Sequence, residues 1–362
     1  MQVEVVHPSE LGPSEVACWH EMQCASPSAA YPFLSPEFAV AVGRHRQAAR
    51  VAVLTEGCRT IGFFPFEKRR FGVGVPISGW LSAGQGVVHA PGAQWDPRQL
   101  VRGCGLDAWR FDNLITDLAP FNRYRTAIAS SPVIDLTEGF APYYSKLRVR
   151  AARMCRELER KTRKLERDVG DLRLACDSPD PKLLRLLIQW KSEQYRRTDH
   201  VDRFDQPWVG ELFEDLLATR TSSLAGLLSV MYAGDQPVSI QFGLRTGALL
   251  VGWFAGYNID FARYSPGLAQ IRLMAEGLTE VGVHKLHMGK GAKRYTEALK
   301  NSDIFVGEGI VTTRTAIGEA HRLSYNANSW ALRIAREHPA LHDAADLLLR
   351  RTRLSSWTYG RI

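Results

Sequence analysis

Four groups of residues have the types and spacing to do chemistry. In Ser265-Pro266-Gly267-Leu268 a serine stands at an N-cap position and a proline at the first helical position, while Gly267 leaves the helix start open to close approach. Such an end presents unpaired amide hydrogens and the positive pole of the helix dipole, which suits a phosphate. In the second group, residues 287–300, Gly289 and Gly291 allow a tight backbone path. Lys290, Lys293, Arg294 and Lys300 surround it with positive charge that could grip a phosphate or a carboxylate. A third group, Lys191, Glu193 and Gln194 beside Tyr195, shares the polar side of a helical segment and could line an acceptor cleft. Gln241, mid-strand with Ser239 as a polar neighbour, could orient a bound group there. The fourth group moves protons: His287 is a candidate general base, and Tyr257 and Tyr295 could protonate a leaving group.

Other chemistries find no support in the residue pattern. There is no GxSxG elbow, no Walker loop, no GxGxxG following a strand and no Cys/His nucleophile signature. Cys18, Cys24, Cys58, Cys104, Cys155 and Cys176 are scattered without CxxC or zinc spacing, so they read as reduced, mostly buried thiols, and no metal is expected.

The elements that must hold these groups can be read from the periodicity. Ser35-Pro36 starts a helix running to Arg46, and residues 49–70 form a hairpin turning at Thr55-Glu56-Gly57. The glycine-rich stretch 71–92 reads as irregular strand connections, and a strand pair follows at 108–136. One long basic helix is expected over 140–168. Asp180-Pro181 opens a helix whose buried face would carry Leu183, Leu187, Trp190 and Tyr195. A second helix precedes a three-strand meander with turns at Gly234-Asp235 and Thr246-Gly247. Then come the helix from Pro266 to Gly282, a short strand around 283–289, a short helix and a last strand. Residues 316–362 read as two terminal helices.

Length and charge set the frame. A chain of 362 residues with 45% hydrophobic and 23% charged residues is globular and long enough for two domains. The division expected is 1–150, 151–315 and a helical extension 316–362. The net charge of +8 fits a nucleic acid, an anionic membrane surface or a phosphorylated ligand as partner. Much of the excess lies in residues 146–167, whose interleaved Glu157, Glu159 and Glu166 suggest a solvated helix. The last helix, with Leu347, Leu348 and Leu349 beside Arg350, Arg351 and Arg353, could touch a membrane surface peripherally. The opening residues do not resemble a secretory signal and no apolar run spans a membrane, so the expected location is the cytoplasm.

Residues 225–302 resemble the second domain of the CelD/BcsL-like group of cellulose-biosynthesis acetyltransferases in the GNAT superfamily. The resemblance rests on Tyr257-Asn258, Tyr264-Ser265-Pro266-Gly267, Gly282, Gly289-Lys290-Gly291 and Tyr295, and Phe33–Phe38 is similar to the group's opening motif. It implies an α/β (mixed α+β) fold of tandem GNAT-like domains, each a mostly antiparallel central sheet flanked by helices. It also implies an acyl-CoA co-substrate, acetyl-CoA first, whose diphosphate sits at Ser265–Leu268, with an amine or a hydroxyl as acceptor. Kinship with the Fem transferases, which share the tandem domains, makes aminoacyl-tRNA the alternative donor; otherwise no nucleic acid is expected. A non-catalytic GNAT-fold binding protein is the third reading. This chain departs from the group's pattern in having His287 in place of an acid and Thr296 in place of the lysine after Tyr295.

Overall fold

The computed structural model describes residues 1–26, 29–291 and 294–337. The chain divides into two compact units. The first comprises Met1–Ala129, Asp199–Val201 and the described residues from Phe305 onward; the second comprises Ser130–Thr198 and Asp202–Ile304.

The first unit is built from β1 (Gln2–Val6), α1 (Pro13–Cys24), α2 (Pro36–His45), β2 (Ala49–Glu56), β3 (Arg59–Lys68), β4 (Val73–Pro76), β5 (Val88–His89), α3 (Pro97–Gly103), β6 (Ala108–Ile115) and the first half of β7 (Arg125–Asp135). The expected hairpin is β2 and β3, and Gly57 holds φ = 59° at its turn, a conformation that glycine adopts without strain. Aromatic side chains from β3, β6 and the turn before β7 fill the core. Phe64, Trp109, Phe111 and Phe121 are each 1% exposed or less. Phe64 and Trp109 meet edge to face with ring centroids 4.9 Å apart.

The second unit holds α4 (Phe140–Arg150), α5 (Ala152–Val169), β8 (Leu172–Ala175), α6 (Pro181–Arg197), α7 (Pro207–Ala218), β9 (Ala225–Ala233), β10 (Gln236–Thr246), β11 (Leu249–Tyr257), α8 (Pro266–Gly277), β12 (Lys285–His287) and α9 (Arg294–Leu299). Its strands run in the order β7, β12, β11, β10, β9, β8. Only the β11–β12 pair is parallel; the others are antiparallel. The meander turns at Gly234 and Gly247 have φ of 56° and 51°, as the sequence requires. After α9 the chain continues through β13 (Ser302–Thr312) into α10 (Ala316–Glu337), and β13 pairs with β6. The architecture is the mixed α+β one expected, with a mostly antiparallel sheet flanked by helices. No helix among the described residues is long and apolar enough to cross a membrane.

Three sequence expectations are corrected. The helix expected over 140–168 is two: Ala151 leaves helical geometry at φ −127°, ψ 41°. The break lets α4 bury Tyr143 and Leu147 while α5 buries Cys155, Leu158, Thr162 and Leu165. On α6 the buried residues are Leu184 and Leu187, because the helix lies over β11, where Leu187 approaches Gly256. Of the six free cysteines, only Cys104 and Cys155 are buried, and Cys24 and Cys58 are exposed. The second terminal helix expected, with Leu347–Leu349 and Arg350–Arg353, lies outside the described residues.

Candidate functional site

The start of α8 is the first element to consider. Tyr264 anchors the turn before it: its hydroxyl donates to Asp168 of α5 at 2.8 Å and receives Arg263 at 2.6 Å. That hydrogen bond, the largest influence on it, holds the Asp168 carboxyl below its ordinary range. Ser265 then sits in the left-handed region, φ 56°, ψ 54°, and makes no side-chain cap. This differs from the expected N-cap serine. Its hydroxyl instead accepts from the Lys161 ammonium of α5 at 2.9 Å. Pro266 is buried and has no N–H to offer. The amides of Leu268 and Ala269 both donate to the Ser265 carbonyl. Gly267 is left at the mouth of the helix, where an added Cβ would meet nothing within 4 Å. The result is an open, electropositive helix end: one bare glycine, the dipole of α8 and an adjacent ammonium.

The second element is where β11 and β12 separate. Leu249, Leu250 and Val251 pair with Lys285, Leu286 and His287, and the pairing then stops. The β12-side edge of Gly252–Tyr257 has no strand partner among the described residues. On the other side of β11 the register with β10 jumps between Phe242/Phe254 and Gly243/Gly252, which makes Trp253 the extra residue of a β-bulge. Gln241 and His287 converge on this point. A Cβ on Gly252 would run into the Gln241 amide nitrogen and would lie 3.4 Å from the His287 carbonyl. The Gly289-Lys290-Gly291 loop leaves from the same place, with φ of 85° at Gly289 and 110° at Gly291. Lys290 is half-buried.

His287 itself is 1% exposed, and its Nε2 shares a hydrogen bond with the Ser131 hydroxyl of β7. Desolvation lowers its pKa to about 4, so the ring is neutral near pH 7. Tyr257, at the end of β11, and Tyr295, on α9, are each 39% exposed and so can meet a ligand. Burial of the Tyr295 ring raises its pKa, which keeps it protonated. Thr296 beside it is buried. Lys293 lies outside the described residues.

The α6 residues expected to line an acceptor cleft separate into two faces. Lys191 donates to Gln194 at 2.9 Å and stands 5.2 Å over the Tyr195 ring. Glu193 points elsewhere, exposed and accepting from Gln189 at 2.9 Å. Tyr195 stacks on Phe204, which continues through Phe213, Phe254 and Trp253 into an aromatic wall over the bulge. Lys161, Ser131 and the Trp253 bulge were not singled out from sequence. Lys161 is hidden in a run of similar charges, and a bulge leaves no compositional mark.

Residues 152–297 match the acetyltransferase (GNAT) domain. The Gln241–Gly252–His287 junction and the Gly267 turn both lie within the matched residues. Among solved structures, FemX superposes with a TM-score of 0.54 at 9% identity, over 85% of this chain and 96% of that one. The C-terminal DUF2156 domain of a predicted lysylphosphatidylglycerol synthetase from Agrobacterium fabrum gives 0.50 at 11% identity, over 86% and 95%. A tandem GNAT protein from the clavulanic acid biosynthesis pathway gives 0.47 at 12%, over 87% and 100%. At these identities the first two likenesses are of fold. No curated protein matches the chain. Among the described residues no cluster of His, Cys, Asp or Glu has the arrangement to hold a metal.

Proposed function

We propose that the chain is an N-acyltransferase of the CelD/BcsL-like group. It would move an acyl group, acetyl first, from acyl-CoA to an amine of a small molecule, a sugar or a cell-envelope precursor, by direct transfer. The observation that carries this reading is the early parting of β11 from β12, which exposes a strand edge with a bulge at its root. The chain then enters a helix whose first turn is open at Gly267.

In this reading the CoA diphosphate rests at the start of α8. The Gly267 amide, the helix dipole and Lys161 stabilise its charge, and Ser265 holds Lys161 in place. The amide groups of the pantetheine arm extend the sheet along the free edge of Gly252–Tyr257. The acyl carbon lies near the Trp253 bulge, where main-chain geometry is released from the ladder and can present a donor to the developing oxyanion. The acceptor amine approaches by way of Lys191, Gln241 and Tyr257. Its nitrogen forms the new C–N bond as the C–S bond breaks. The amine proton passes to water, and the thiolate takes a proton from Tyr257 or Tyr295. His287 is buried, bonded to Ser131 and, with its pKa lowered to about 4, a weak base, so it positions β12 and leaves the proton transfer to solvent.

The experiment is ligand-dependent melting of the full chain with acetyl-CoA, longer acyl-CoAs and CoA alone. Ligand at about 100 times its Kd should add about 2.7 kcal/mol of stability. No shift with any of the three sinks the proposal. Transfer that needs no CoA but stops after nuclease treatment replaces it with the aminoacyl-tRNA reading.

A further inference from the structure

Helix α5 has a feature that acyl transfer does not use. Its exposed cations are Arg153, Arg156, Arg160, Arg163, Lys164 and Arg167. At 100° per residue these six fall within an arc of about 100°, directly opposite the buried Leu158 and Thr162. The acids of the helix fall outside that arc. Glu157 and Asp168 border it on one side, and Glu159 and Glu166 lie beyond the other. Arg160 pairs with Glu157 at 2.8 Å and Arg167 with Asp168 at 3.6 Å. Arg153, Arg156, Arg163 and Lys164 have no carboxylate within ion-pair distance among the described residues. The stripe runs about 21 Å along the helix, with successive cations about 4–6 Å apart except for the adjacent pair Arg163 and Lys164.

Helix stability does not ask for this arrangement. Like charges three and four residues apart repel, and the sequence has the acids to separate them. The interleaving that suggests a solvated helix in the sequence is undone once the helix is wound, because every acid falls to the flanks. Five of the six cations are arginine, whose planar fork matches a phosphate bidentately. The outer arc carries no apolar side chain that could enter a lipid bilayer.

We infer that the outer face of α5 binds the phosphate backbone of a duplex nucleic acid, with structured RNA as the occupant. The contact is made by charge and spacing, without base reading. It is separate from the turn at Gly267 and does not depend on the acyl-CoA reading.

Binding of the full chain to a fluorescent 20-base-pair RNA duplex, followed across 50–200 mM salt, tests the inference. Wild type should bind with a steep salt dependence. The combined R153E, R156E and R163E variant should lose at least 10-fold in affinity and about 2–3 units of the log–log salt slope. The same three positions changed to glutamine should lose affinity in the same direction, guarding against a fold defect from charge reversal. A control with K182E, R196E and R197E on exposed α6 positions should change affinity less than 2-fold. Equal losses in stripe and control variants would reduce the effect to net charge and overturn the inference. So would an absence of RNA binding by wild type, or a stripe that governs binding to phosphatidylserine vesicles but not to RNA. Acetyl-CoA melting of the stripe variant is expected to stay at the wild-type value, which keeps this outcome distinct from failure of the transferase proposal.

Discussion

Two helices in this protein begin with the same dipeptide, Ser-Pro, and they begin differently. In the first unit Ser35 has extended geometry, φ −78° and ψ 150°, and its hydroxyl caps the Phe38 amide at 3.1 Å. The same hydroxyl donates to the Pro32 carbonyl at 2.9 Å, and the side chain is fully buried. That helix end is closed. In the second unit Ser265 is left-handed, caps nothing and receives Lys161 instead. That end is open. The third residue marks the divide: Glu37 in one, Gly267 in the other. A capped start contributes stability; an uncapped one leaves donors for a ligand.

Filling the open end should have the largest effect. Gly267→Phe is expected to weaken acetyl-CoA binding at least 100-fold, by titration calorimetry, with the melting temperature of the unliganded protein within a few degrees of wild type, since the site has space for a side chain. Unchanged affinity would mean that the two ends do not differ in function.

Next in size is a stability effect confined to the second unit. The folded pKa of His287, about 4, lies below its unfolded value of 6.5. As pH falls, the unfolded chain takes up the proton first. Stability is therefore fully present above pH 6.5 and falls by about 3 kcal/mol on the way to pH 4. Urea unfolding of wild type and His287→Gln at pH 7 and pH 4.5 should show this slope only in wild type. If His287 were the catalytic base, the same variant would also lose the acidic limb of its activity profile; the expectation is an unshifted limb.

A smaller effect belongs to Lys161. Lys161→Met should cost about 10-fold in acetyl-CoA affinity, the worth of one charge-assisted contact, and little stability. The smallest is the direct comparison of the two serines. Ser35→Ala should cost about 1 kcal/mol of unfolding free energy, and Ser265→Ala less than half of that, since only Ser35 caps a helix. Equal costs would erase the distinction.

Much of the second unit was legible in its residues. The meander follows from three apolar runs separated by Gly234-Asp235 and Thr246-Gly247, and the short strand before the Gly289-Lys290-Gly291 loop is where the pattern puts it. The helix breaking at Ala151 was not legible, because its basic period runs through the break unaltered. The surroundings of His287 were not legible either: a histidine between a strand and a glycine loop can serve as a base or as a buried structural residue, and only the fold shows the ring buried against Ser131.

The sequence by itself determined the elements and their kinds, since periodicity, turn glycines and prolines act over a few residues. It also determined that Gly267 could be approached closely, since no side chain stands there. Only the tertiary structure decided which Ser-Pro helix would be capped. That choice depends on whether a residue more than a hundred positions away, Lys161, comes to stand beside the serine. Local sequence holds no record of that distance; packing of α5 against the turn before α8 creates it.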